Sequence, residues 1–207
     1  MIYLWPKSDS MTGMHKNFGV LTTGQKYTFP HGIKEGRKYA VDNNAFSAGF
    51  DPKKFFHHLE KLKPYRDQCL FIACPDVVGD AKLTLELYDL WSDKIRDYGS
   101  VAFVAQDGQE DLPFPDDFDW LFIGGTTEWK MDHRAKSCIK RAKEMGKPVH
   151  VGRVNSLGRF RYFQKLGVDS VDGTNPIYEP DVARRRWTNA VSQLPFRELI
   201  SHRNSSS

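Results

Sequence analysis

Short apolar runs recur along this chain at an even pace, and between the later ones lie segments with helical spacing. The runs are Ile2 to Trp5, Val20 to Thr22, Tyr39 to Val41, Leu70 to Cys74, Val101 to Ala105, Trp120 to Ile123, Val149 to Val151 and Ser170 to Val171. Several are continuous rather than alternating, the pattern of strands buried on both faces. Ala135, Cys138, Ile139 and Ala142 share one helical face, and Gly146 with Pro148 supplies a stop. Leu157, Phe160 and Phe163 repeat the pattern after a Ser156 cap, with Gly167 at the end. Ala81 to Arg96 and Pro52 to Lys63 read as two further helices.

Strand then helix, repeated without a hairpin signature, gives parallel βα units. An open doubly wound sheet and a closed barrel both satisfy this. The chain offers seven or eight strands and contains neither a Gly-x-Gly-x-x-Gly nor a Walker loop. The expected fold is therefore α/β, a compact TIM-like (β/α)8 barrel. Its 207 residues suit a single catalytic barrel domain over residues 1–200, with 201–207 as a disordered polar tail.

Composition narrows the class. Hydrophobic residues at 40% and aromatics at 13% are enough for a sizeable core. No run approaches a membrane span, and Met1 to Ser10 lacks the basic then apolar pattern of a secretion signal, so a cytoplasmic protein without membrane partners is expected. Three cysteines, Cys69, Cys74 and Cys138, have no partners at zinc-finger spacing, and Cys74 and Cys138 read as buried small hydrophobes. No metal and no cofactor are expected. The net charge of +4 is mild but uneven. Residues 128–165 hold eleven Lys/Arg against three Asp/Glu, while residues 107–119 hold six acids and no base. A face meeting a polyanion has this character, and so do solvated helix faces.

In a parallel barrel the site forms where strands run into the following loops. Those positions are polar here with regularity: Asp42 to Asn44, Asp76, Gln106 and Asp107, Gly124 and Gly125, Arg153, and Asp172. A single such Asp is often a helix cap, and Gly-Gly is often a tight turn. Together, three carboxylates, an amide and a Gly-Gly backbone offer donors and acceptors suited to a planar heterocycle. Two carboxylates can also divide nucleophile and acid/base roles, as in retaining glycosyl transfer.

The order Asp42-x-x-Ala45-Phe46-Ser47, Pro75-Asp76-Val77-Val78-Gly79-Asp80, Gln106-x-Gly108, Gly124-Gly125 and Gly167-Val168-Asp169-Ser170-Val171-Asp172-Gly173-Thr174 resembles the guanine transglycosylases. These are (β/α)8 enzymes that exchange guanine in tRNA for a 7-deazaguanine. The resemblance covers about Tyr39 to Thr174. The tRNA enzymes carry a zinc site of three Cys and one His after the nucleophile, whereas this chain has no Cys beyond Cys138 and no room for an added RNA-binding domain. It therefore resembles the short phage and bacterial branch that places 7-deazaguanines in DNA, a modification that blocks restriction.

The resemblance implies Asp172 as nucleophile on the sugar C1′ and Asp42 as acid/base. It implies base recognition by Asp76, Gln106 and the backbone of Gly124 and Gly125, with Phe46 as a stacking wall and Asn43 in the same pocket. DNA and a free 7-deazaguanine base would be the partners, with tRNA the less favoured polymer. Asn43 and Asn44 replace the small residues usual after the acid/base Asp, and Gly173-Thr174 replaces Cys-Val-Leu-Pro after the nucleophile. Asp169 is a rival nucleophile, since strand alternation cannot turn both it and Asp172 inward. Arg153, Arg159, Arg161 and the run Arg184, Arg185 and Arg186 are candidate phosphate anchors, a solvated basic face being the alternative. His15 and Lys16 are further candidates to enter the site. Rival readings are the tRNA enzyme, a barrel lyase or isomerase acting on a small phosphorylated substrate, and an inert nucleic-acid-binding barrel.

Overall fold

The computed structural model describes residues 1–6, 10–24, 29–45, 49–174 and 180–192. Eight strands, β1 (Ile2–Trp5), β2 (Phe18–Thr23), β3 (Tyr39–Asp42), β4 (Cys69–Ala73), β5 (Val101–Ala105), β6 (Trp120–Ile123), β7 (Val149–Val151) and β8 (Ser170–Asp172), pair in parallel with their sequence neighbours. The pairing of β8 with β1 closes the barrel. The expected (β/α)8 architecture is the one found, and no open sheet edge remains among the described strands.

Strand limits differ from the apolar runs where a neighbour extends the ladder. Tyr3 pairs with Phe18, so β2 starts two residues before Val20. Thr23 pairs with Asp42 and Leu4 with Asp172, so both acids belong to the strands themselves rather than to the loops after them. Their side chains thereby inherit the fixed alternation of a β-strand.

That alternation sorts the core into two parts. Leu4, Ala40, Phe71, Ala73, Ala102, Val104 and Phe122 fill the barrel interior. The small Ala40, Ala73 and Ala102 leave room for Phe71 and Phe122, whose rings meet edge to face at 6.0 Å. The intervening residues face outward to the helices, so β5 is buried along its whole length. This explains why its sequence shows no alternation of polarity.

The surrounding helices are α1 (His31–Lys34), α2 (Pro52–Leu62), α3 (Ala81–Arg96), α4 (Thr127–Met131), α5 (His133–Glu144), α6 (Leu157–Lys165) and α7 (Pro180–Ser192). Asp51, Asp80, Thr126 and Ser156 cap α2, α3, α4 and α6 through side-chain oxygens. In Pro75-Asp76-Val77-Val78-Gly79-Asp80, then, it is the second acid that serves as the cap. The helix read over Pro52 to Lys63 ends at Leu62, because Pro64 cannot donate to the ladder and the chain tightens into a 3-10 turn. Gly146 and Gly167 end α5 and α6 at φ +71° and +76°. On α7, Trp187 is fully buried, 4.4 Å from the Tyr3 ring of β1 and 5.5 Å from the Phe160 ring of α6. Among the described residues no helix is long and apolar enough to cross a membrane.

Asp169 lies at the foot of β8, at the opposite end of the barrel from Asp172. Its Oδ2 accepts from the Val149 backbone N–H at 2.7 Å and from Lys143 Nζ at 2.6 Å. It ties β7, β8 and α5 together and lies away from the strand-end cluster. Asp169→Ala should lower stability by about 1 to 2 kcal/mol, a melting-temperature drop of about 2 to 8 °C measurable by calorimetry. Any activity of the strand-end site should persist in the folded variant.

Candidate active site

The carboxyl ends of β3, β4, β5, β6, β7 and β8 bring Asp42, Asp76, Gln106, Gly124, Gly125, Arg153 and Asp172 to one face of the barrel. Several are linked. Asn43 Nδ2 donates to Asp76 Oδ1 at 2.7 Å and to the Cys74 carbonyl at 2.6 Å. Gln106 Nε2 donates to Asp76 Oδ2 at 2.5 Å, while Gln106 Oε1 accepts from the Gly79 N–H at 3.0 Å. Both Asp76 oxygens are thus held from two strands. Burial raises the Asp76 carboxyl above the ordinary range, and the Asn43 and Gln106 bonds pull against that rise. Asn43 is only 5% exposed and orients Asp76. Gln106 is 1% exposed and does the same from the other side.

Gly124 and Gly125 both donate their N–H groups to the Ala105 carbonyl, at 2.9 and 3.3 Å. Their carbonyls both accept from Arg153 Nη2, at 2.9 and 2.5 Å. The backbone expected to read a base edge therefore has its donors engaged, and what it can offer a ligand is the second lone pair of each carbonyl. Gly124 must lack a side chain, because a Cβ there would lie 2.5 Å from Gln106 Nε2. Arg153, expected as a phosphate anchor, braces the β6 strand end through its guanidinium. Its φ of +60° turns its own N–H onto Asp172 Oδ1 at 3.2 Å while the guanidinium holds the β6 strand end.

Asp172 is 6% exposed, and its Oδ2 lies 3.0 Å from His150 Nε2. His150 is fully buried in the barrel interior, and its Nδ1 is 2.9 Å from Ser170 Oγ. Lys130 on α4 is also buried and donates through Nζ to the Gly152 carbonyl at 2.8 Å. Burial, with Arg153 and Arg159 nearby, lowers its ammonium to about 7, against the opposing influence of Asp172 and Asp107. Sequence reading passed over both residues. A lone His inside a Val-His-Val run, in register with Ser170, was the available sign for His150. Nothing in the sequence marks Lys130 beyond its position shortly after Gly124-Gly125.

Asp42 is the most perturbed acid of the cluster. Burial pushes its carboxyl up to about 7, with Asp172 and Asp76 adding to the rise, and the Asn44 N–H at 2.8 Å and Arg153 opposing it. A carboxyl that titrates near neutrality can both give and take a proton, which an ordinary aspartate does poorly.

Other expected residues lie elsewhere. Phe46 falls outside the described residues. Arg159, half-buried on α6, is near enough to influence Lys130, whereas Arg161 on α6 and Arg184, Arg185 and Arg186 on α7 are exposed. His15 and Lys16 precede β2 at the barrel end opposite the carboxylates, where the His15 carbonyl accepts from Arg37 at 2.9 Å. Cys74 and Cys138 are buried as expected, and burial raises all three thiols, Cys138 to about 11 and Cys69 to about 12. Among the described residues no three His, Cys, Asp or Glu side chains are grouped to hold a metal ion.

The raised Asp42 carboxyl has a stability consequence of fixed sign. Its folded value exceeds its unfolded one, so its contribution is most favourable below about pH 4 and is lost as pH rises through about 7. Asp42→Asn should therefore stabilise the fold at pH 8, on the order of 3 kcal/mol, and give no such gain at pH 3.5. Urea unfolding at the two pH values measures the difference.

No protein-family model matches the chain, and no curated protein matches it. Among solved structures, RipC from Yersinia pestis aligns over 95% of this chain and 96% of that chain, with 9% identity and a TM-score of 0.49.

Proposed function

We propose that the strand-end cluster is the active site of a guanine transglycosylase that exchanges guanine in DNA for a 7-deazaguanine base. The observation that carries this reading is a pair of barrel-end carboxyls in unlike environments. Asp172 accepts two hydrogen bonds at the end of β8, and Asp42 is pushed up to about 7 at the end of β3. Asp172 attacks C1′ as the bond to guanine breaks, and the bonding pair leaves with the base, which takes its proton from Asp42. The incoming base then gives a proton to Asp42 and attacks C1′, and the ester pair returns to Asp172. Two displacements retain configuration. Asp76, fixed by Asn43 and Gln106, presents a carboxyl edge to a purine's amide and amino groups. The target guanine must first leave the duplex stack.

Labelled guanine incubated with DNA or with tRNA tests this directly, with label expected in DNA. Asp172→Asn should abolish incorporation and the covalent adduct seen by mass spectrometry of denatured, substrate-trapped enzyme. Asp42→Asn should slow exchange by about 10²- to 10⁴-fold. Label in tRNA alone would replace the polymer, and label in neither would overturn the reading.

The exposed run Arg184, Arg185 and Arg186 supports a polyanion partner. If it meets phosphates, changing all three to Ala should weaken DNA binding equally across sequences. The slope of log affinity on log salt should flatten by up to about 0.9 for each lost contact. An unchanged slope would place the run on a solvated face.

Lys130 favours a second reading. A buried amine lowered to about 7 has the uncharged fraction that a Schiff-base lyase requires. Borohydride trapping of a carbonyl substrate on Lys130, without guanine incorporation, would support it over base exchange.

A further inference from the structure

His150 is the one imidazole in the barrel interior among the described residues, and neither of its nitrogens is free. Its ring is clamped by Phe122, edge to face at 4.5 Å, and by Phe71 at 5.0 Å. It sits in register with Ser170, and Ser170 and Asp172 share the inward face of β8 two residues apart. A polar ring in an apolar interior is costly unless its nitrogens are paired, and here the two pairings form one column, Ser170 to His150 to Asp172. A carboxylate acting as a nucleophile only accepts, so the base-exchange reading requires Nε2 to carry a hydrogen toward Asp172 Oδ2, while Nδ1 pairs with the Ser170 hydroxyl.

We infer that His150 is a positioning residue for the nucleophile: it holds Asp172 Oδ2 toward the barrel interior and so selects Oδ1 as the attacking oxygen. This rests on the base-exchange reading. The two oxygens are held unequally, Oδ2 by a side chain locked between aromatic rings at 3.0 Å and Oδ1 by the backbone N–H of Arg153 at 3.2 Å. When Oδ1 supplies its pair to C1′ and the pair of the broken C1′ to guanine bond leaves with the base, Oδ2 becomes the ester carbonyl. That carbonyl still accepts the Nε2–H bond. In the second displacement the C1′ to Oδ1 pair returns to Asp172, and His150 has neither gained nor lost a proton. The ring therefore fixes the carboxylate plane through both steps, which is an orientation effect rather than acid/base work.

Two replacements separate orientation from packing. His150→Met fills a similar volume without a donor, and His150→Gln keeps an N–H near the place of Nε2. With labelled guanine, His150→Met should lower kcat by about 100-fold and leave KM for the free base within about twofold. His150→Gln should recover about tenfold of that loss. Thermal unfolding reports whether each variant is folded. Nitrogen-15 spectra of the imidazole in the wild-type protein, which need no substrate and no variant, should show the hydrogen on Nε2. A folded His150→Met variant with kcat within about twofold of wild type overturns the inference. So does equal loss in folded Met and Gln variants, or a hydrogen found on Nδ1 alone. Wild-type protein that labels neither DNA nor tRNA overturns the base-exchange reading instead, and that result is available before any variant is made.

Discussion

Closure of the eight-stranded sheet determines where every polar strand-end side chain can go. Once β8 pairs with β1, each strand has neighbours on both sides and alternate residues have only the interior or the helix shell to enter. The interior is narrow and mostly apolar, built from Leu4, Phe71, Val104 and Phe122 with alanines between them. Polar residues of the same parity, Asp42, Ser170, His150 and Asp172, cannot turn outward without shifting a whole strand. Ser170, His150 and Asp172 therefore meet in one column inside the barrel, and Asp42 comes near enough to Asp172 for their charges to interact at its carboxyl end.

Three carboxyls gathered in one half-enclosed space repel one another and lose hydration, and the protein answers differently at each. Asp76 has both oxygens bonded to neutral amides, Asn43 and Gln106, so it is oriented while still raised by burial. Asp172 receives a ring and a backbone N–H. Asp42 receives one backbone N–H, and burial first and then the fields of the other two acids raise its carboxyl to about 7. The cations share in this balance. Arg153 lowers Asp42 and Asp76 and at the same time depresses Lys130, so one guanidinium couples the acids at β3 and β4 to the amine on α4. The raised Asp42 carboxyl thus follows first from burial, with only one backbone N–H and Arg153 set against it.

The barrel was legible in the sequence because strands buried on both faces give continuous apolar runs that need no long-range information. β5, β6 and β7 fall on the residues read from pattern alone. Where the reading fell short, a tertiary partner decided. Asp42 and Asp172 are strand residues because Thr23 and Leu4 pair with them. Gly124 is glycine because a side chain from the neighbouring strand passes over it, which no local turn rule encodes. Arg153 looks like any loop arginine until its left-handed backbone points it back across β6. His150 was hidden in an apolar run because its polarity is neutralised by Ser170 and Asp172, twenty and more residues onward in the chain.

The charge asymmetry shows most clearly why composition could not locate a binding face. Much of the acidic stretch is engaged in contacts within the chain: Asp107 holds the Thr126 backbone, Glu110 accepts from Trp129 Nε1, and Asp117 and Asp119 pair with Arg96 at the surface. Part of the basic stretch is engaged likewise. Arg141 donates to the Glu110 and Leu112 carbonyls and lies over the Phe114 ring, Lys143 pairs with Asp169, and Arg153 braces the β6 strand end. Such pairs cost little to keep and leave little net field at the surface. What remains exposed includes Arg161 on α6 and Arg184, Arg185 and Arg186 on α7. Those helices follow β7 and β8, the strands that carry His150 and Asp172. Barrel order thus sets these exposed arginines on the two helices that follow the strands of the Ser170, His150 and Asp172 column.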